Sequence, residues 1–547
     1  MFTKERFTSY DDFQQRFKID VPDNFNFAFD VIDAGAMSAP EKPAMIHVDD
    51  SGIRKEYTLR YFSEYSSRLA EGLARSGIGR GDRVMVILYR RVEFWTAMLA
   101  LHKLGAVAVP SPSMLTPEDI IYRVNFAGIK GVICEDSVSG KVDEALPQCR
   151  ELNTLVQVGA AGCGAGWISY EELLSGSSSR FPRGEQSPGG DDPLLIFFSS
   201  GTTGPPKMVE HTHNYPLGHW LIAAYWHDLE PGDVHLTLAD TGWGKAVWGK
   251  FYGQWMAGAV VFVYDFRGKF SPGELLSILA KHKVQSFCAP PTVYRFLIRE
   301  NLDDFDLSAL KHCTTAGELL NESVFHAWKK ATGLPIYEGY GQTETTLQVA
   351  TFPFMDPKAG SIGKPLPGWE IVLLDENDEP VSTGDEGEIC VRIDEKRPVG
   401  LFTGYLREPE KTSSVVRSGY YHTGDKAWVD EDGYLWFLGR VDDLIKSSGY
   451  RIGPFEVESV LITHPAVVEA AVTGVPDEVR GQVVKATVVL AQGRQPGEDL
   501  TRELQDHVKK ATAPYKYPRI IDYISELPKT ISGKIKRAEI REKDIKK

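Results

Sequence analysis

A short segment rich in glycine and hydroxyl side chains has the composition of a phosphate-binding loop. It follows the apolar run Pro193–Phe198. Glycine lets the backbone approach an anion closely, hydroxyls donate hydrogen bonds, and a lysine adds positive charge. The candidate anion-binding residues are Ser199, Ser200, Gly201, Thr202, Thr203, Gly204 and Lys207.

The loop is not a Walker A motif. That motif requires glycine before the lysine and serine or threonine after it, whereas Pro206 and Met208 stand at these positions. The consecutive prolines Pro205 and Pro206 also remove two backbone donors that a phosphate-cradling helix start would use. The segment is therefore a different phosphate loop, and a glycine-rich surface turn is the alternative interpretation.

Further segments of the chain complete the pattern. They are Tyr337–Thr345 (YEGYGQTET), Tyr421–Lys426 (YHTGDK), Gly439–Lys446 (GRVDDLIK) and Pro528–Lys534 (PKTISGK). Together with the loop, they resemble the ordered motifs of the adenylate-forming superfamily of acyl- and aryl-CoA synthetases, adenylation domains and luciferases. The resemblance extends over nearly the whole chain and is closest to medium-chain acyl-CoA synthetases. It implies activation of a carboxylic acid by ATP as an acyl-adenylate, followed by transfer of the acyl group to coenzyme A.

The resemblance assigns the nucleotide-binding roles. Glu344 holds Mg²⁺, which prefers hard oxygen ligands, and Thr343 contacts the α-phosphate. Tyr340 lies against the adenine, Asp425 accepts hydrogen bonds from the ribose diol, and Arg440 contacts ribose and phosphate. A turn aspartate is the alternative for Asp425. The other residues expected around the nucleotide are Gly317, Glu318, Leu319, Glu338, Gly339, Gly341 and Gln342.

Lys534 is the catalytic lysine that the resemblance implies, acting with Lys207, Thr343 and Glu344. It would bridge the acid and the phosphate as a flexible point charge. We therefore expect an N-terminal ATP- and acid-binding domain (1–441) and a C-terminal lid domain (442–547), hinged at Asp442. Rotation of the lid would replace Lys534 by residues that admit the thiol.

The expected coenzyme A site combines a glycine turn with aromatic and cationic side chains. A plain strand edge is the alternative for the segment Ala513–Arg519. The predicted residues are Ser448, Gly449, Tyr450, Arg451, Arg480, Tyr517, Pro518 and Arg519.

The acid is expected to be larger than acetate. Acetyl-specific members of the superfamily carry a tryptophan where this chain has Gly341, so the glycine predicts a deeper pocket. Trp243, Lys245, Trp248 and Cys288 are the candidate wall residues, with ordinary core packing as the alternative. We expect a medium-chain or short branched fatty acid and a broad range, because each methylene contributes only about 1–3 kcal/mol to discrimination. A benzoate-like aryl acid stays an alternative.

The elements that position these residues alternate between strand and helix. Arg83–Tyr89 reads as a buried strand, a helix follows through Leu104, and Ala106–Pro110 reads as the next strand. Similar alternation continues to about Gly439, where shorter elements begin. We predict an α/β fold with a large, mostly parallel, multi-sheet N-terminal body and a small mobile C-terminal α+β domain.

Composition excludes several other classes of protein. A net charge of −14 over 547 residues disfavours nucleic-acid binding. The polar start and the lack of a long apolar run predict no secretory signal and no membrane span, so we expect a cytoplasmic protein. The cysteines have no CxxC spacing and indicate neither a zinc site nor a disulfide framework. They are Cys134, Cys149, Cys163, Cys288, Cys313 and Cys390.

Two other functions stay open at this stage. From His507 to Lys547 there are twelve Lys or Arg and five Asp or Glu, which fits a polyphosphate ligand, although a solvated basic tail would look the same. This basic segment favours coenzyme A over a carrier protein as the acceptor. The catalytic set Lys207, Glu344, Asp425, Arg440 and Lys534 argues against a non-catalytic acyl-nucleotide binding protein. The sequence does not determine the oligomeric state.

Overall fold

The computed structural model describes residues 2–159, 162–184, 187–199, 206–447, 450–477, 479–529 and 535–545. The strands are β1 (Pro43–Asp49), β2 (Arg54–Thr58), β3 (Arg83–Ile87), β4 (Val107–Pro110), β5 (Ile129–Glu135), β6 (Thr154–Val158), β7 (Trp167–Ser169), β8 (Pro193–Ser199), β9 (Lys207–Thr212), β10 (Val234–Thr237), β11 (Val260–Asp265), β12 (Ser286–Cys288), β13 (His312–Ala316), β14 (Ile336–Gly341), β15 (Leu347–Ala350), β16 (Lys364–Pro365), β17 (Ile371–Leu374), β18 (Gly387–Arg392), β19 (Gly404–Tyr405), β20 (Val416–Arg417), β21 (Tyr420–Val429), β22 (Leu435–Arg440), β23 (Ile445–Ser447), β24 (Tyr450–Ile452), β25 (Val467–Asp477), β26 (Gly481–Leu490) and β27 (Ile520–Ile524). The α-helices are α1 (Tyr10–Arg16), α2 (Ala34–Ser38), α3 (Leu59–Arg75), α4 (Val92–Leu104), α5 (Pro117–Ala127), α6 (Asp136–Ala145), α7 (Tyr170–Leu174), α8 (Tyr215–Leu221), α9 (Gly244–Lys250), α10 (Tyr252–Met256), α11 (Pro272–Lys281), α12 (Pro291–Leu297), α13 (Glu322–Thr332), α14 (Pro409–Val415), α15 (Pro454–Thr463), α16 (Glu498–Ala511) and α17 (Arg537–Ile545).

Two large, mainly parallel sheets form the N-terminal body. Their strand orders are β16-β15-β14-β13-β12-β10-β11-β1-β2 and β19-β9-β8-β4-β3-β5-β6-β7, with antiparallel pairs at the edges. The predicted strand–helix–strand unit is confirmed as β3, α4 and β4. Residues Val84–Ile87 are buried because helices cover both faces of a parallel sheet.

Helix α4 lies in the core between these two sheets. Its residues Trp95 and Met98 share one apolar cluster with Val84 of the second sheet and Val261 of the first. A helix that is apolar around most of its circumference must be buried on all sides. The two sheets are therefore packed into one body through α4, which fixes the carboxyl ends of their strands relative to each other.

A third sheet in the body is antiparallel. Its order is β17-β18-β21-β20, and β22 pairs with β21. The sequence analysis predicted a mostly parallel body and did not resolve this sheet, because its strands alternate with short turns rather than with helices. Pairing of β21 with β22 places Asp425 directly opposite Arg440.

The smaller C-terminal unit has its own core. Strands β23–β27 form its sheet, and Val457 and Leu461 of α15 pack with Leu504 and Val508 of α16. The predicted α/β body with a smaller C-terminal α+β domain is confirmed. Among the described residues, no helix is long and apolar enough to cross a membrane.

Candidate active site

The two ends of the predicted phosphate loop lie side by side. Ser199 ends β8, Lys207 begins β9, and the two residues are partners in the antiparallel pair. The Lys207 ammonium lies 4.7 Å from the ring centroid of Tyr405, a distance typical of a cation–π contact. The loop residues Ser200, Gly201, Thr202, Thr203 and Gly204 lie outside the described residues.

Asp425 is the centre of a buried hydrogen-bond network. Its Oδ2 accepts hydrogen bonds from the Tyr340 hydroxyl at 2.6 Å and from Gln342 Nε2 at 2.6 Å. Its Oδ1 lies 3.4 Å from Nε of Arg440. Only 4% of Asp425 is exposed, so this carboxylate depends on these partners for its charge. Burial is the largest influence and by itself would lower the pKa of Arg440, but Asp425, Tyr340, Glu344 and Tyr421 together outweigh it, and the pKa is raised.

Gln342 fixes the orientation of this network. Its Nε2 also donates to the carbonyl oxygen of Thr423 at 2.8 Å, and its Oε1 accepts from the Tyr421 hydroxyl at 2.6 Å. Both ends of the amide are thus committed, so it cannot rotate without losing bonds. The structure brings Tyr340, Gln342, Asp425 and Arg440 together as predicted, and it adds Tyr421.

The predicted metal ligand and the phosphate-contacting residue are held by neighbours that the sequence analysis did not select. The Tyr405 hydroxyl donates to Glu344 Oε1 at 2.9 Å. His211 Nε2 lies 2.8 Å from the carbonyl oxygen of Thr343 and donates to it. Burial lowers the pKa of His211 to about 3, so the imidazole is neutral. Lys207 and Glu344 therefore both contact the Tyr405 side chain. The Thr343 carbonyl is held by a hydrogen bond from the neutral His211 imidazole.

The predicted adenine segment adjoins an unusual carboxyl group. Glu338 is 5% exposed, and its Oε1 accepts a hydrogen bond from the Leu320 amide at 3.1 Å. Burial raises the pKa of Glu338 to about 8, so the side chain is mostly protonated at neutral pH.

The other predicted adenine residues lie in tight surroundings. Gly317 has φ of +96°, and Leu319 packs in the same apolar cluster as Tyr340. Gly339 lies against Trp226 and Leu347, where an added Cβ would come within 2.9 Å.

Glu318 points toward the neighbouring helix α12. Its Oε2 accepts a hydrogen bond from Thr292 Oγ1 at 2.6 Å and lies 3.8 Å from Nη2 of Arg295. These contacts anchor the turn that follows β13. The Glu318 carboxylate is thus directed at α12, whereas Leu319 packs with Tyr340 and the Leu320 amide bonds Glu338.

Gly341 and Trp248 meet at the predicted acyl pocket. A Cβ added to Gly341 would lie 2.7 Å from Trp248 Cη2 and 2.4 Å from the carbonyl oxygen of Thr346. Trp248 Nε1 donates to the Tyr215 hydroxyl at 3.1 Å. The space beside Gly341 is thus already taken by the Trp248 indole and by backbone.

The remaining wall candidates surround the end of β13. Lys245 Nζ donates to the carbonyl oxygen of Ala316 at 2.8 Å, and Cys288 is buried beside Thr314 in the β12–β13 pair. Trp243 precedes α9 and is half-buried. The structure thus places Lys245 of α9 and Cys288 of β12 beside β13, whose last residue Ala316 precedes Gly317.

The predicted coenzyme A residues lie on an exposed surface of the C-terminal domain. The ring of Tyr450 stacks on Tyr515 with centroids 4.0 Å apart. The guanidinium of Arg519 lies 4.9 Å from the ring centroid of Tyr517 and donates to its hydroxyl at 2.9 Å. Pro518 between them is buried, whereas Arg480 is exposed just before β26. Ser448, Gly449, Lys534 and the side chain of Arg451 lie outside the described residues.

Comparison with known proteins decides the family. The family model "AMP-binding enzyme" matches residues 32–406, and the model of the AMP-binding enzyme C-terminal domain matches residues 456–534. This chain belongs to the AMP-binding enzyme family. The two matches include every motif of the sequence analysis except Tyr421–Lys426 and Gly439–Lys446, which lie between them.

The relatives of this family member are acyl-coenzyme A synthetases. The mitochondrial acyl-coenzyme A synthetase ACSM3 of Mus musculus is 42% identical over 99% of this chain and 94% of its own length. The mitochondrial ACSM4 of Homo sapiens is 42% identical over 96% and 91%. The crystal structure of the anthranilate CoA ligase AuaEII with anthranoyl-AMP superimposes with a TM-score of 0.88, at 30% identity over 97% of this chain and 99% of that one. The predicted function, an AMP-forming acid–CoA ligase, is confirmed.

The sequence did not predict three residues that hydrogen-bond directly to the predicted site residues. Tyr405, His211 and Tyr421 contact Glu344, Thr343 and Gln342. Tyr421 stands in a recognised motif and could have been selected on that ground. His211 and Tyr405 carry no signal of their own, because their partners are 132 and 61 positions away in the chain. The cytoplasmic location stays a prediction. Both relatives named above are mitochondrial by name.

Proposed function

We propose that this synthetase activates a medium-chain fatty acid in two steps. A carboxylate oxygen attacks the α-phosphorus of ATP, the acyl-adenylate forms and pyrophosphate leaves. The sulfur of coenzyme A then attacks the acyl carbonyl carbon, its proton is released, and AMP leaves. The buried network around Asp425 carries this proposal, because it presents an oriented carboxylate and a paired arginine where a ribose and a phosphate would lie.

Charge neutralisation is the main task of the first step, since both reactants are anions. Lys207 and Arg440 supply fixed positive charge from the body, and Lys534 would supply it from the lid. The Glu344 carboxylate beside the Thr343 hydroxyl suits a hard, octahedral cation, so Glu344 would hold Mg²⁺. When bound, Mg²⁺ would neutralise phosphate oxygens. The Tyr405 hydroxyl orients Glu344 for this role.

The lid must move between the two steps if one site serves both. Asp442 is exposed, whereas the adjacent Asp443 is buried and accepts from Arg541 Nη1 of α17 at 2.5 Å. Asp443 therefore belongs to the C-terminal domain. A hinge at Asp442, between residues 1–441 and 442–547, agrees with this change of environment and is part of the proposal.

The acid is proposed from the wall of the pocket. Glycine at position 341 leaves Trp248 as the side chain that meets this part of β14. An apolar wall suits an aliphatic tail. The resemblance to medium-chain synthetases supports a fatty acid of medium chain length. An aryl acid is the second candidate, because the ligase AuaEII with a similar fold binds anthranoyl-AMP. Measurement of AMP release for linear acids from acetate to decanoate, branched acids and benzoate, with and without coenzyme A, distinguishes the two.

The role of Lys534 is tested by separating the half-reactions. Lys534→Ala should abolish adenylation from acid and ATP but retain thioester formation from supplied acyl-adenylate and coenzyme A. Lys529→Ala is the matched control, because Lys529 is in the same segment and pairs with Glu469 at 2.6 Å; both half-reactions should survive. Equal loss of both steps in Lys534→Ala would contradict the assigned role.

A further inference from the structure

Three metal-ligand side chains converge on one face of the third sheet, away from the site described above. Cys390 of β18 and His422 of β21 are partners in the antiparallel pair, and Glu388 precedes Cys390 by two positions across a β-bulge. Cys390 Sγ lies 3.4 Å from His422 Nδ1, and Nδ1 lies 3.2 Å from Glu388 Oε2. All three donor atoms lie within 4.8 Å of one another.

The two distances from His422 Nδ1 fit donors that share one ion. With Zn²⁺ bonds of about 2.3 Å to sulfur and about 2.0–2.1 Å to nitrogen and oxygen, neighbouring donors of a tetrahedral site lie roughly 3.3–3.6 Å apart. Hydrogen bonding explains the cluster less well. A single imidazole nitrogen carries either one hydrogen or one lone pair, yet Nδ1 of His422 faces both the thiol and the carboxylate.

The outer ring nitrogen of His422 provides an independent observation. His422 is 3% exposed, and within the described part of the chain its Nε2 has no hydrogen-bond partner. The nearest acid is Asp378, whose Oδ1 lies 3.9 Å from Nε2. A histidine that binds a metal through one nitrogen usually directs the other N–H at a carboxylate. Asp378 stands on that side, and it accepts from the Ser418 hydroxyl at 3.1 Å.

The Glu388 carboxylate is oriented for the same centre. Its Oε1 accepts a hydrogen bond from the Gly424 amide at 2.8 Å, which leaves Oε2 directed at His422. Cys390 is fully buried and Glu388 is partly exposed, so an ion can enter past the carboxylate. The cysteines lack zinc spacing in the sequence because the ligands come from two strands whose pairing joins positions 390 and 422.

We propose that Glu388, Cys390 and His422 form a three-ligand site for Zn²⁺, with water in the fourth position and Asp378 as the hydrogen-bond partner of His422. Mixed sulfur, nitrogen and oxygen donors in a tetrahedral arrangement suit this ion. The site includes His422 of β21, the strand that also carries Asp425. The ion would fasten β18 to β21 three residues before the centre of the proposed nucleotide network.

Metal binding by the full-length protein tests this site directly. After treatment with a chelator, the protein is titrated with Zn²⁺ against a chromogenic competitor, and with Co²⁺ to record thiolate-to-metal charge-transfer absorption. We expect one tightly bound ion per chain and a thiolate band. Cys390→Ser and Glu388→Gln should each weaken Zn²⁺ binding roughly 10- to 100-fold or more, and only Cys390→Ser should remove the thiolate band.

Cys134→Ser is the matched control, since Cys134 is also a buried strand cysteine next to a glutamate. It should retain the affinity and the cobalt spectrum of the parent protein. Glu388→Gln keeps the shape of the side chain and its acceptor for Gly424, so it distinguishes a lost ligand from a misfolded sheet. Equal Zn²⁺ affinity in the parent protein, Cys390→Ser and Glu388→Gln, or a cobalt complex without a thiolate band, would overturn the proposal.

Discussion

The proposed nucleotide face of the body and the proposed coenzyme A surface of the C-terminal domain differ in how their side chains are held. Around the buried Asp425, the hydrogen bonds that join Tyr340, Gln342 and Tyr421 are all 2.6 Å long. On the other surface, Tyr450 is 50% exposed, and the cations near Tyr517 lie in solvent. A preorganised network stabilises one charge distribution, whereas exposed aromatic and cationic groups adapt to a flexible ligand.

The difference matches the chemistry proposed for each region. Adenylation requires phosphate and carboxylate to be aligned closely, and small misplacements are costly. The nucleotide part of coenzyme A lies far from the reacting thiol, so the protein only needs to bind it and does not need to align it with the acyl group. Changes in the buried network should therefore act on catalysis, and changes on the exposed surface should act on binding.

Asp425→Asn should have the largest effect. The amide oxygen can still accept from Tyr340 and Gln342, but the amide nitrogen then faces Arg440, which loses its counter-ion. Hydrogen bonds to charged groups contribute about 1.5–3 kcal/mol each, so kcat/KM for ATP should fall roughly 100-fold or more. Pyrophosphate release at varied ATP measures this.

Asp385→Asn serves as the control for that comparison, since Asp385 is an exposed carboxylate of the same sheet's loops. It should change kcat/KM for ATP less than about twofold, as expected for a surface position. Similar losses in both variants would show that the network around Asp425 has no special role.

Trp248→Phe should change the choice of acid rather than the rate with ATP. The smaller ring deepens the pocket beside Gly341, and each added methylene is worth about 1–3 kcal/mol. The ratio of kcat/KM for decanoate to that for butyrate should rise about 10-fold. Trp255→Phe is the control, because Trp255 is a buried tryptophan of the same core that bonds to Ala44. An unchanged profile in Trp248→Phe would remove Trp248 from the pocket.

The sequence predicted the motif residues of the site but not the residues that distant segments bring to it, and the reason is physical. Residues of the motifs, such as Gln342 and Asp425, occur in local patterns, so their positions could be predicted before the network was seen. Tyr405 and His211 reach the site only through the folding of distant segments, and no local spacing marks them. The Cys390–His422 pair is a further example, because strand pairing alone brings these residues together. The antiparallel third sheet was missed for a similar reason, since its strands have no helices between them.

Arg519→Ala should weaken coenzyme A binding and leave adenylation unchanged. The guanidinium is exposed and stacks on Tyr517, so it contributes as a screened charge. The KM for coenzyme A should rise roughly 5- to 10-fold, and this difference should shrink at high salt. Arg502→Ala, an exposed arginine on α16 that pairs with Glu498, should leave this KM unchanged. A loss of acyl-adenylate formation in Arg519→Ala would contradict the separation of the two regions.

A change in the pH dependence of stability is expected from Glu338. Burial raises the pKa of Glu338 from an ordinary value of 4.5 to about 8. Between these values the folded protein holds a proton that the unfolded chain releases, so its stability falls as the pH rises, by up to about 1.4 kcal/mol per pH unit. Glu338→Gln is neutral at every pH and should lose this dependence.

The unfolding temperature of Glu338→Gln, measured from pH 5 to pH 8, should therefore rise relative to the parent protein as the pH increases. The difference should reach roughly 10 °C at pH 8, because up to about 4 kcal/mol accumulates over three pH units and about 1 kcal/mol shifts the midpoint of a domain by roughly 2–4 °C. Glu386→Gln, an exposed position, should follow the parent protein at every pH. If Glu338→Gln also follows it, Glu338 is ionised in the folded protein. Glu338 and Asp425 would then both be buried carboxylates with negative charge, and of these two described residues only Asp425 has a paired arginine.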